Sequence, residues 1–374
     1  MLAAAGPTAL ALADGIPLVT VQQRLVVLPK LPADSETPPN LPQDGEVKLP
    51  FVAGGATGVA RRINDAVWKE FLDGTVAPTT PGKTYTPPRD KLPQGTSSLE
   101  FKTQFIPSMN PRLLSLELSG EGCGAYCESF TTTRVFDLHD GHQLSMGDLL
   151  TPDGFSAVGR RVDAERRRAY KDEVREIRAA IKAAPKGKKT DDDDDNATRL
   201  ALNEGCLKEV DERPSTPWWL AAYGLSLDGH GGMAVSVGRC SNHVNQGLDD
   251  VGDVTVAIPA ADLRPALTPY GLAVVCQEGD APKPGALDHR ELHGRLGGIP
   301  ITMKLELREG VLAKGWYAYD KFHTPIALSV RQAGGGVEAD EQTESKGHFD
   351  LTPAGGSLVG TWADKHKKLP VIVQ

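Results

Sequence analysis

"LLSLELSGEGCGAYCESFTTTRVFDL", residues 113–138, decides the fold class. Leu114, Leu116 and Leu118 alternate with Ser115, Glu117 and Ser119. That period of two puts one face of a β-strand in a core and the other in water. The run "YCESFTTTRVFDL" follows across a tip of three residues, Gly124-Ala125-Tyr126, so the two strands pair as an antiparallel hairpin. "SLEFKTQFIPS" precedes it and the turn "HDGHQL" follows, where Asp140-Gly141 readily supplies the positive φ of a tight hairpin turn. A meander of antiparallel strands is expected.

Two of the five cysteines, Cys123 and Cys127, bracket that tip. The chain has no Cys-x-x-Cys pair, the usual signature of redox and zinc-ribbon sites. Zinc at Cys123 and Cys127 would need further ligands, and His139 and His142 lie at the opposite end of the strand. Cysteines across a three-residue loop come close enough to bond, so a Cys123–Cys127 clasp is favoured over a metal. A second bridge is expected between Cys206 and Cys240, leaving Cys276 unpaired. No metal or cofactor is expected.

Outward from the hairpin, residues 16–30 read as a strand or pair of strands, and "LPADSETPPNLPQDGE" as a Pro-rich surface loop. Val59, Ile63, Ala66, Val67, Trp68 and Phe71 fall at helical spacing, with Gly74 a natural stop. After the turn, residues 145–206 read as helical at both ends around a polar insert near 184–198 that contains five consecutive aspartates. The insert lacks the alternating ligands and glycine of a calcium loop and reads as a solvated charge run. Two short strands around "DGHGG" follow, then a strand and helix in "DVTVAIPAADLRPALTPYG".

Pro and Gly cluster at residues 278–288, the expected linker between an α+β unit (16–277) and an all-β module (289–374). Beyond it, seven or eight short strands with closely spaced turns predict a small barrel or sandwich. Gly315, Gly347 and Gly360 recur near Trp316, Phe349 and Trp362.

Composition bounds function. With 374 residues, 40% apolar and 24% charged, the chain is long enough for two or three compact units. A net charge of -8 argues against nucleic acid and suits a cationic partner as well as it suits solubility. No stretch is long and apolar enough for a membrane span. Residues 1–15 carry an Ala-x-Ala pattern at Ala11-Leu12-Ala13 without a basic n-region, which reads either as a truncated signal segment or as an Ala-rich terminus. The cysteines favour export, to the periplasm or the medium.

Catalytic patterns are sparse. "GHGG" at 229–232 and His243 come without a nucleophile elbow or a metalloprotease pair, and read as turn residues. Asp137, Asp140 and Asp148 are the acidic residues to weigh as an acid and base acting on glycosidic bonds. Their competing roles are structural: Asp140 in the turn, Asp148 at the start of a short helix after Ser145.

The ordered motifs "FDLHDGHQLSMGDLL" (136–150), Gly124-Ala125-Tyr126 and "VAIPAADL" (256–263) resemble a bacterial envelope domain. That domain occurs in lysozyme-sensing anti-sigma factors and beside the catalytic domain of some secreted peptidoglycan deacetylases. The likeness covers roughly residues 16–275. Residues 297–364 are similar to a small β module widespread in secreted bacterial proteins. Neither the cysteine pair at the tip nor the long helical insert belongs to the general pattern, and the sigma-binding and deacetylase parts have no counterpart here. The resemblance implies a non-catalytic envelope protein that binds peptidoglycan or a cationic protein such as lysozyme. Its candidate contact residues are Glu121, Gly124, Ala125, Tyr126 and Glu128. A wall hydrolase using paired carboxylates and a structural envelope component are the alternatives.

Overall fold

The computed structural model describes residues 19–28, 45–71, 84–86, 96–105, 112–123, 127–183, 191–212, 224–279, 287, 290–307, 312–322, 325–343, 346–354 and 356–374. Residues 1–15, most of the expected linker, and Trp218-Trp219 lie outside them.

The hairpin is formed by β5 (Leu113–Cys123) and β6 (Cys127–Asp137), which pair antiparallel along their whole length. They belong to a seven-stranded sheet with β1 (Val19–Leu28), β2 (Gly45–Gly54), β3 (Thr84–Tyr85), β4 (Thr96–Phe105) and β7 (His142–Gln143), in the order β3-β1-β2-β4-β5-β6-β7. The β1–β3 and β2–β4 contacts are parallel and the others antiparallel. Strand β2 goes beyond the sequence reading: Val47, Leu49 and Phe51 alternate as a strand requires, but Pro50 interrupts the run and argues against a strand paired on both sides.

The leucines at 114, 116 and 118 are fully buried, as their alternation requires, and pack with Leu49, Phe51 and Phe136 under α1 (Val59–Phe71). Val59, Ile63, Val67 and Trp68 form the helix's inward face. The helix is also bolted to β2 by polar groups. The Asn64 amide donates to the Val52 carbonyl and accepts from the Val52 N–H, each at 2.7 Å, while Trp68 Nε1 donates to the Pro50 carbonyl at 3.1 Å.

The opposite face of β5 is not wet throughout. Leu113 and Ser115 are buried at one end, whereas Ser119 is exposed at the other. A second layer covers that first end: a three-stranded antiparallel sheet of β8 (Gly224–Leu227), β9 (Met233–Val237) and β10 (Val254–Ile258). It shares a core with Leu113, Val135 and the helices α2 (Met146–Leu149), α3 (Pro152–Ala183), α5 (Ala260–Leu263) and α6 (Pro269–Val275). The layer is assembled from residues a hundred positions downstream, which a local period cannot report.

The aspartate run also departs from expectation. It opens α4 (Asp191–Glu212) and so belongs to a helix rather than to the connection. Carboxylates at a helix N-terminus complement its dipole, which is the physical reason an acidic run can start a helix.

The C-terminal strands are β11 (Glu291–Leu296), β12 (Ile299–Leu305), β13 (Leu312–Tyr319), β14 (Ile326–Ala333), β15 (Gly336–Glu341), β16 (His348–Ala354), β17 (Ser357–Ala363) and β18 (Lys368–Val373). They form a closed barrel in chain order, sealed by β11 against β18. The protein is therefore α+β with a small barrel. The interior is filled by side chains, among them Tyr317, Phe349, Leu351 and Trp362. A Cβ at Gly294 would strike the Ile372 backbone at the seam, and one at Gly347 would strike Trp362 and Glu341, so both positions need glycine.

Candidate functional site

The β5–β6 register runs unbroken to its last rung, where Cys123 sits opposite Cys127; Gly122 faces Glu128 and Glu121 faces Ser129. Gly124, Ala125 and Tyr126 lie outside the described residues, as do the side chains of Glu121, Cys123, Cys127 and Glu128. The expected clasp and contact residues therefore rest on this backbone register alone.

The second expected bridge is present. Cys206 on α4 and Cys240 in the loop after β9 are joined with S–S 2.07 Å and Cα–Cα 5.8 Å. Cys276 is the free cysteine among the described residues, and burial raises its thiol pKa. The bridge lies beside Tyr170 of α3, whose hydroxyl accepts from the Cys240 N–H at 3.3 Å, so it ties the α3–α4 pair to the three-stranded sheet.

At the opposite end of the hairpin, the acidic residues weighed for catalysis are occupied. Asp137 is completely buried. It accepts two hydrogen bonds from the Arg112 guanidinium, one from the His139 N–H at 2.9 Å and one from the Tyr270 hydroxyl at 2.9 Å. Burial and the neighbouring Asp137 carboxylate drive the Tyr270 phenol well above the usual tyrosine range. Burial opposes the charge on Arg112, but Asp137 outweighs it and the pKa is raised.

Asp148 closes a capping box at α2. Its Oδ2 accepts from the Ser145 N–H and hydroxyl at 2.9 and 2.8 Å and lies 2.9 Å from His142 Nε2. The expected helix-start role of Asp148 is thus its actual one. Asp140 accepts from the His142 N–H at 2.8 Å within the turn, where Gly141 takes φ 79°. Zinc between the cysteines and these histidines is excluded by distance: eleven residues of β6 place its ends roughly 33 Å apart at the strand rise.

"DGHGG" is likewise a turn. Asp228 Oδ1 accepts from the His230 and Gly232 N–H groups at 2.7 and 2.9 Å. The side chain of His243 lies outside the described ones. Among the described residues no cluster of three His, Cys, Asp or Glu is arranged for a metal, and no helix is long and apolar enough to cross a membrane.

Sequence reasoning missed the cleft next to this end of the hairpin. It is about 250 Å³ in volume, between α1, the 140–143 turn and the first strands of the barrel. Arg62, Asp140, Gln143, Arg290, Glu291 and Lys304 are among its lining residues. In the sequence, Arg62 falls within the helical period of α1 and Asp140-Gly141 is a turn signal, but nothing local to residues 290–304 says that they face the same cleft.

No protein-family model matches the chain, and no curated protein matches it. Among solved structures, a DUF3298 family protein from Pseudomonas aeruginosa PAO1 aligns over 68% of this chain and 96% of that one, at 12% identity and a TM-score of 0.32. Similarity at that level is too low to argue fold or function from.

Proposed function

We propose that this chain is a non-catalytic binding protein of the bacterial envelope. It is exported, and recognises peptidoglycan or a cationic lysozyme-like protein through the β5–β6 tip. The observation that carries the reading is the unbroken eleven-residue pairing up to Cys123 opposite Cys127, which leaves only Gly124-Ala125-Tyr126 between the strands. Three residues between paired strands have little conformational freedom to lose on docking, and tyrosine is enriched at binding hot spots. Glu121 and Glu128 flank it, and a net charge of -8 speeds encounter with a basic partner. The Cys206–Cys240 bridge suits an oxidising compartment. The structural employment of Asp137 and Asp148 weighs against the hydrolase alternative, since both oxygens of Asp137 are held by protein donors.

Calorimetric titration with lysozyme, muropeptides and intact sacculi tests the reading. Binding to at least one is expected, weakened at least tenfold by Tyr126→Ala with little change in melting temperature. No heat with any of them at millimolar concentration, where about -4 kcal/mol of binding still registers, would refute it.

A further inference from the structure

We infer that the solvent-facing side of the α3–α4 pair is the contact through which two copies of this chain associate, forming a dimer with a four-helix seam. The ion pairs Arg178–Glu204 at 2.6 Å and Arg167–Asp211 at 2.5 Å show the two helices running antiparallel. Along one side they leave a groove of about 630 Å³, floored by Val174 of α3 and Leu207 of α4. Each floor residue has an aliphatic neighbour seven positions away on the same helical face: Ile181 beyond Val174, and Leu200 before Leu207. Val174 is buried and Leu200 and Leu207 are half-buried, whereas Ile181 is 40% exposed. The aliphatic row is therefore only partly covered within one chain.

The rims of the groove are segregated by helix. α3 contributes Lys171, Arg175 and Arg178 and no acid, whereas α4 contributes Glu204, Asp211 and Glu212 with one base, Lys208. All of these side chains are exposed. A second copy related by a two-fold axis parallel to the helices lays its α4 over this α3 and its α3 over this α4. The basic rim then meets an acidic one twice and the aliphatic rows close on each other, as apolar seams and flanking charges do in helical bundles. An unrelated partner would have to carry the same two rims in reverse order, whereas a second copy presents them by symmetry. Some of the charges are paired within one chain: Arg178 with Glu204, Arg175 with Asp172 at 2.9 Å, and Lys208 with Glu212 at 3.7 Å. Exposed pairs of this kind hold weakly, so they exchange for contacts to the partner at little cost. Residues 195–212 of α4 run for about 27 Å and the two helices are roughly 20 Å across, which gives about 500 Å² per copy and about 1,000 Å² in all. That is the lower end of specific interfaces, so the dimer forms reversibly.

Sedimentation equilibrium of the full chain tests the assignment. A reversible monomer–dimer equilibrium with a Kd of about 1 to 100 µM is expected. Two double variants make the rims alike: Lys171→Glu with Arg175→Glu turns both acidic, and Glu204→Lys with Glu212→Lys turns both basic. Each alone should dimerise at least tenfold more weakly, and an equimolar mixture of the two should recover a heterodimer of parental affinity. Ile181→Glu, at an exposed position, should weaken association at least tenfold and serves should a charge variant fail to fold. Tyr126→Ala should dimerise like the parent, so the outcome is independent of the tip's role. A parent that stays monomeric up to about 200 µM, where a Kd in the expected range would fill most of the dimer, would overturn the assignment. So would folded variants that dimerise within twofold of the parent, or a mixture of the two charge variants that stays monomeric.

Discussion

Asp137 and Glu341 are both buried carboxylates that accept a hydrogen bond from a tyrosine, yet they sit in structures assembled in opposite ways. Asp137 gathers Arg112, 25 positions away, and Tyr270, 133 positions away, and so joins the sheet to the last helix of its unit. Glu341 gathers Tyr317, Trp362, Thr343 and the Gly347 N–H, all within 24 positions, inside a barrel whose strands pair in chain order. The layers of the sheet unit are thus joined by remote polar contacts in addition to the apolar core they share. In the barrel each strand depends on its neighbours, and only the β11–β18 seam is distant.

Five measurements break or sharpen that contrast. The largest effect is expected from Asp137→Ala, which strands the part-buried Arg112 charge and the Tyr270 hydroxyl. A loss of about 3 to 5 kcal/mol in a denaturant melt is expected, and a loss below about 1 kcal/mol would show that the remote contact does not hold the layers. Next comes the double substitution Cys206→Ser with Cys240→Ser, which opens a loop with a sequence separation of 34. It should cost roughly 3 kcal/mol, with protease cleavage appearing first in α3 and α4, the helices that the bridge pins.

Within the barrel, Glu341→Gln should cost about 2 kcal/mol, because an amide leaves one of its four donors without a good acceptor. We propose that residues 286–374 fold alone. A cooperative melt of that fragment, shifted by the same substitution, would show that the barrel's network is self-contained, whereas a fragment with no transition would erase the distinction between the two regions. The smallest effect is alkaline. Burial beside Asp137 and Glu341 raises the Tyr270 and Tyr317 pKa values in the folded state. Unfolding above pH 10 therefore releases protons that the native protein keeps, and stability must fall as pH rises. Each tyrosine contributes about 0.4 kcal/mol of loss at pH 10 and about 1.4 at pH 11, given an unfolded pKa near 10. Tyr270→Phe should remove its share of the slope, as read by the pH dependence of the denaturant midpoint.

The same contrast decides what could be read before the structure. The buried leucines of β5, the inward face of α1, the Asp140-Gly141 turn and the Ser145–Asp148 cap were all legible, since each depends on residues within a few positions of one another. The barrel strands were legible for the same reason. Ser115 was misread as solvent-facing and the aspartate run as a connection, because alternation and charge describe a segment without saying what will cover or continue it.

By itself the sequence determined the local periods, the turns and the pairing of neighbouring strands, which follow from side-chain chemistry and short-range sterics. Only the tertiary structure decided that Tyr270 caps Asp137, that Asn64 pairs with the backbone of β2, and that Arg62 and Arg290 line one cleft. These are contacts between segments that no period links. They exist because burying the two apolar faces of one sheet brings distant parts of the chain together, and polar groups carried inward with them must find partners there.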